Sequence, residues 1–101
     1  MSQEKIVVKV DPDLEDLVPG FLENRKADVD KLREALEKTD FDILTSIGHS
    51  IKGVGGGYGF DRMSELGAAI ETSAKAGDAE NVKEKIEQLD DFLNRVEVEY
   101  T

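Results

Sequence analysis

Between Phe41 and Tyr58 the bulky apolar side chains fall at Leu44, Ile47, Ile51, Val54 and Tyr58, spacings of three and four that trace one face of a helix. The same period appears in three other stretches. Leu22, Val29, Leu32 and Leu36 mark the core side of a helix from about Pro19 to Lys38. Leu66, Ile70 and Ser73 or Ala74 line one side of a later helix, and Val82, Ile86, Leu89, Leu93 and Val96 repeat at helical spacing in the last. Polar residues punctuate these runs. Thr39 and Asp40 offer capping oxygens to the helix beginning at Phe41, Asp61 stands where it can cap the next, and Gly77-Asp78 turns the chain again. Asp11-Pro12-Asp13 is a helix-start signal, with Leu14, Leu17 and Val18 forming a short apolar turn before Pro19-Gly20 interrupts. Burying four amphipathic faces with short connections predicts an all-α fold: an antiparallel up-down four-helix bundle with a short extra N-terminal helix.

The ends carry a different period. Ile6, Val8 and Val10 alternate with other residues, and Val96, Val98 and Tyr100 alternate with glutamate, which suits extended strands. A short paired ribbon, a frayed tail, a helix extension and pairing across a dimer all fit this pattern, because two isolated strands are marginal without packing. No internal repeat, low-complexity tract or long linker interrupts the chain.

The length of 101 residues corresponds to a single domain, residues 1–101, with a core at roughly 19–96. A core of this size leaves no room for a deep cofactor cavity or for an ATP-binding kinase domain. Cysteine is absent, so disulfides and thiolate metal sites are excluded. No apolar run approaches the ~20 residues of a membrane span and no secretory signal pattern opens the chain, which points to a cytoplasmic protein. The net charge of −10, from 23 acidic and 13 basic residues, argues against nucleic acid and anionic membrane as partners.

The candidate chemistry lies in His49 to Phe60, H-S-I-K-G-V-G-G-G-Y-G-F, which holds the chain's only histidine. His49 is two positions from both Ile47 and Ile51, and two steps of ~100° place its imidazole roughly opposite the buried stripe, in water. Lys52, Gly53 and Gly56 share its face at the third, fourth and seventh positions beyond it. The glycines between Gly55 and Gly59 each weaken a helix by about 1 kcal/mol against alanine. Two compensations fit: close packing of backbone on a neighbouring helix, and a side-chain-free surface for a docking partner. Gly59, leading into Phe60 and Asp61, suits a structural, helix-ending role. Tyr58 and Phe60 read as core, and Glu71 as a solvated or hydrogen-bonded helix residue.

His49, Lys52, Gly53 and Gly59, in the order H-x-x-K-G with a glycine ten residues after the histidine, resemble the signature of histidine-containing phosphotransfer (HPt) domains of bacterial phosphorelays. The likeness continues through Phe60, Met63, Leu66, Ile70 and Glu71 to Ala76-Gly77-Asp78, so that roughly Leu32 to Val96 can be aligned. Ile51 stands where leucine is commoner, and Gly55 to Gly57 make the segment unusually glycine-rich. The resemblance implies that His49 is the phosphoacceptor, that Lys52 supports the phosphoryl group and that Gly53 leaves room for a partner; Gly56, by its place on the same face, is a further candidate for partner docking. The resemblance names the partners as response-regulator receiver domains or a hybrid sensor histidine kinase in a bacterial cytoplasm.

The residue types agree with that chemistry. A neutral imidazole is a nucleophile near pH 7, and a neighbouring lysine disfavours the imidazolium and offsets charge on phosphoryl oxygens. No acidic cluster for magnesium shares His49's turn, so no cofactor of its own is expected and the missing parts must arrive with a partner; the resemblance implies that a receiver brings the magnesium ion and the aspartate. The chain then carries a phosphoryl group without being an enzyme. Two alternatives share the residues: the phosphotransfer module of a chemotaxis-type kinase, and an acidic helical adaptor whose histidine is never phosphorylated.

Overall fold

The computed structural model describes residues 4–101, and its helices are separated by three turns of one design. Helix α1 spans Val18–Glu37, α2 Phe41–Gly57, α3 Asp61–Lys75 and α4 Ala79–Arg95, so three residues make each connection. The middle residue of each turn has a left-handed backbone: Thr39 at φ 54°, Gly59 at 86° and Gly77 at 69°. The next residue's N–H then reaches back to the helix just completed, Asp40 to the Ala35 carbonyl at 2.9 Å, Phe60 to Gly55 at 2.8 Å and Asp78 to Ser73 at 2.9 Å. Carbonyls that a helix end leaves without partners are thereby satisfied. Thr39 adopts this conformation with a branched side chain, a cost of about 1 kcal/mol that the two glycines avoid.

The residue after each left-handed position also opens the next helix. Asp40 accepts from the Ile43 N–H at 3.2 Å and Asp78 from the Asn81 N–H at 3.1 Å. The corresponding position before α3 belongs to Phe60, not to Asp61 as the capping pattern suggested. Phe60 is fully buried and supplies no capping oxygen, while Asp61 lies in the first turn, where its charge still favours the helix dipole. The extra N-terminal helix shrinks to a single 3-10 turn at Pro12–Leu14, with Asp11 accepting from the Asp13 N–H at 2.9 Å. Pro19 does not interrupt the chain. It falls in the first turn of α1, where a missing N–H costs nothing.

The helices pack in sequence, α1 on α2, α2 on α3 and α3 on α4, and α4 closes the ring against α1. Their shared core includes Leu32, Leu44, Ile51, Phe60, Met63, Ile70, Val82 and Leu89, all without exposed surface. On α1 the inward residues are Val18, Phe21, Val29, Leu32 and Ala35, with Leu22 and Leu36 at the rim. The apolar pattern there lapses at Arg25 and Asp28, which pair at 2.8 Å while Arg25 lies over the Phe21 ring. Phe21 stacks on Tyr58 at 4.2 Å between centroids, clamping α1 to the end of α2.

Helix α2 stays helical to Gly57 despite its glycines, and its buried line runs through Leu44, Gly48, Ile51 and Gly55. Ile47, Val54 and Tyr58 flank this line half-buried. The glycines are where α3 comes closest. A Cβ on Gly67 would lie 2.5 Å from the Lys52 N, one on Gly48 2.8 Å from the Glu71 N, and one on Gly55 3.0 Å from the Ser64 N. The lost helix propensity is thus offset by backbone packed on backbone, and the Ser64 hydroxyl donates across the contact to the Lys52 carbonyl at 2.8 Å.

The chain ends form the ribbon. Strand β1, Ile6–Val10, pairs in parallel with β2, Val96–Tyr100, in the register Ile6 to Val96 and Val10 to Tyr100. Val96 therefore leaves the helical stripe of α4 and starts a strand directly after Arg95. Ile6, Val8, Val96, Val98 and Tyr100 pack on the core, and Val10 is buried in it, outside the span of 19–96. Packing on the bundle supplies what an isolated ribbon lacks.

The glycine contacts predict opposite signs for two substitutions to alanine. Gly67→Ala should lower the free energy of unfolding by about 1–3 kcal/mol, because rigid backbone must move. Gly53→Ala, where an added Cβ meets nothing within 4 Å, should raise it by up to about 1 kcal/mol. Urea denaturation followed by circular dichroism reads both.

Candidate functional site

Glycine packing between α2 and α3 sets the positions of two side chains. The Glu71 backbone lies against Gly48, the residue before His49, so the His49 and Glu71 side chains emerge next to each other at the helix boundary. His49 Nδ1 is 2.9 Å from Glu71 Oε2. The expected exposure of the imidazole is observed, with 71% of its side-chain surface open, whereas Glu71 is 13% exposed. Lys75, one turn further along α3, places its Nζ 3.5 Å from the same Glu71 oxygen.

Electrostatics make this contact directional. Desolvation pushes the Glu71 carboxyl upward, but the hydrogen bond and charge of His49, together with Lys75, outweigh it and hold the group below its usual range. Glu71 is therefore ionised at neutral pH and can only accept. In the neutral ring Nδ1 must then carry the proton, and Nε2 keeps its lone pair toward solvent. Such an imidazole is an oriented nucleophile, held by its far nitrogen.

The remaining sequence candidates lie around His49 in different roles. Lys52 is exposed one turn on, and among the described residues its ammonium makes no ion pair. Gly53 and Gly56 are exposed on the same side of α2, Gly53 with open space around it and Gly56 in ordinary contact with the Ser64 hydroxyl. Gly59 belongs to the turn, as its left-handed backbone shows. Beyond Lys52, the exposed Gly53, Gly56 and Gly57 leave this stretch of α2 without side chains toward the helix end. Among the described residues no three His, Cys, Asp or Glu side chains converge as a metal ion requires, and no helix is long and apolar enough to cross a membrane.

Residue spacing on α2 could not reveal Glu71 as the imidazole's partner, because it lies 22 positions away on another helix. A signal was present in Gly67, one turn before Glu71 and matched by Gly48 beside His49, since paired glycines mark where two helix backbones meet. The geometry predicts that His49→Ala leaves the fold intact, with unfolding free energy within about 0.5 kcal/mol of the native chain. Loss of cooperative thermal unfolding in that variant would contradict an exposed ring.

No significant match was found among curated proteins or among solved structures. The family model for the Hpt domain matches residues 16–99 of the 101-residue chain. An exposed histidine held by a neighbouring helix in a ring of four helices and this match across most of the sequence lead to one conclusion: the chain belongs to the Hpt domain family, the phosphotransfer modules of two-component signalling.

Proposed function

We propose that the protein is a phosphorelay intermediate that accepts a phosphoryl group on His49 Nε2 and exchanges it with the aspartate of receiver domains. The observation that carries this reading is the Nδ1 to Glu71 hydrogen bond at 2.9 Å on an otherwise exposed ring. An antiparallel up-down course of the helices, favoured by three-residue turns between helices that pack on each other, supports α2 as a rigid platform.

In the transfer the Nε2 lone pair forms the N–P bond while the P–O bond to the receiver aspartate breaks, its electron pair leaving with the carboxylate. The ring retains its Nδ1 proton and gains positive charge as the bond forms, and the Glu71 carboxylate offsets that charge. Lys52, one turn from His49, provides a cation for the phosphoryl oxygens. Gly53 and Gly56 give the receiver a close approach to the helix. The receiver brings the magnesium ion and the acidic pocket, so the chain needs no ATP site and works as a carrier. Receivers of response regulators, or of a hybrid sensor histidine kinase, are its partners in a bacterial cytoplasm.

Incubation with phosphorylated, magnesium-loaded receivers should give acid-labile label on the native chain and none on His49→Ala. Lys52→Ala should slow transfer roughly tenfold with little change in binding. Gly53→Leu should weaken receiver binding at least about tenfold, measured by calorimetry. A folded native chain left unlabelled by a broad receiver panel would overturn the proposal.

A further inference from the structure

Lys75 has no place in the transfer just described, yet its ammonium lies 3.5 Å from the carboxylate oxygen that accepts the hydrogen bond of His49 Nδ1. A lysine in the last turn of a helix has an ordinary explanation in the helix dipole, and Lys75 occupies that turn of α3. The dipole does not account for its shared partner. One oxygen, Glu71 Oε2, takes both the imidazole of His49 at 2.9 Å and the ammonium of Lys75 at 3.5 Å.

That sharing bears on a conflict within the site. A carboxylate is needed at Nδ1 to fix the tautomer, but the same negative charge favours a second proton on the ring, and a doubly protonated imidazole has no lone pair with which to attack phosphorus. Resolving the conflict requires a cation that moderates Glu71 without displacing the ring. Lys75 meets this requirement, bound at the longer distance through a flexible stem. We propose that Lys75 is a positioning residue for His49, holding the Glu71 carboxylate in a partly neutralised pair so that the imidazole stays neutral, with its proton on Nδ1 and Nε2 free. The proposal rests on His49 as the phosphoacceptor.

Lys52 and Asp42 share the exposed side of α2, and α3 presents Glu71 and Lys75. Helix α1 packs on the far flank of α2, where Lys31, Glu34 and Lys38 border Ile43 and Ile47. Among the described residues the groups paired with Glu71 are His49 and Lys75, so Lys75 is the cation that works through Glu71.

The test exploits the single histidine, whose imidazole C–H resonances need no assignment against others. Proton NMR titrations of the full chain would compare native protein, Lys75→Gln and Lys75→Arg. In Lys75→Gln the pH at which the ring gains its second proton should rise on the order of half a pH unit, and Lys75→Arg should restore it. Phosphorylation by phosphoramidate reads the consequence, as Nε2 forms the N–P bond while the donor's P–N bond breaks and ammonia leaves with the electron pair. The acid side of the rate profile should shift with the titration, slowing Lys75→Gln about threefold well below the midpoint, with no loss on the alkaline plateau. Coincident titration curves for native protein and Lys75→Gln would overturn the proposal, as would uniform slowing at every pH, which marks direct contact with the phosphoryl donor. A titration shift in a chain that phosphoramidate and receivers both leave unlabelled would remove the phosphoacceptor reading while sustaining the effect of Lys75 on the ring.

Discussion

The close contact of α2 with α3 at Gly48, Gly55 and Gly67 is the constraint on which the rest of the site depends. With any larger residue at Gly67 the helices could not meet as they do, because its Cβ would fall 2.5 Å from the Lys52 N. Their proximity brings Glu71 to His49 and lets the Ser64 hydroxyl reach the Lys52 carbonyl. Packing energy and site geometry are therefore one property of this helix pair. It also explains how a helix carrying so many poor helix formers remains regular to Gly57: the propensity lost at buried glycines is offset by backbone contact, while the exposed glycines are held between a packed segment and a stacked Tyr58.

Much of this was legible in the sequence. The period of apolar residues located all four helices, and the turn residues placed their ends within a residue or two. His49's exposure followed from its angle to Ile47 and Ile51. The misreadings share a cause, because a count of bulky residues does not register a buried backbone. It drew α2's buried face through Leu44, Ile47, Ile51, Val54 and Tyr58, although Gly48 and Gly55 are buried where Ile47, Val54 and Tyr58 are only half so. Phe21 escaped notice beside Leu22, since an aromatic residue next to an aliphatic one gives no sign of which points inward. Asp61 looked like a cap, but the turn geometry gave that position to Phe60, whose ring the core required. Glu71's role needed a tertiary contact that no local pattern contains.

The ends show the reverse case, where local pattern was informative and topology was not. Alternation offered strands as one of several fates for both ends, but parallel pairing between them follows only from where the bundle places its two ends. Val96 illustrates the competition, since it extends the apolar period of α4 and also begins the alternation of β2. The strand wins there because Ile6 stands opposite to complete a pair. The ribbon and the Phe21 to Tyr58 stack both tie the rim of the bundle together, leaving the α2 and α3 face open around the histidine.

The central claim is that helix packing fixes the imidazole through Nδ1 and leaves Nε2 as the nucleophile. Long-range proton–nitrogen correlation NMR of the lone histidine, above its titration midpoint, tests it most directly. The account predicts a protonated Nδ1 and an unprotonated Nε2 in the native chain, with that preference lost in Glu71→Ala. A native ring protonated mainly on Nε2, or one indifferent to the loss of Glu71, would contradict it.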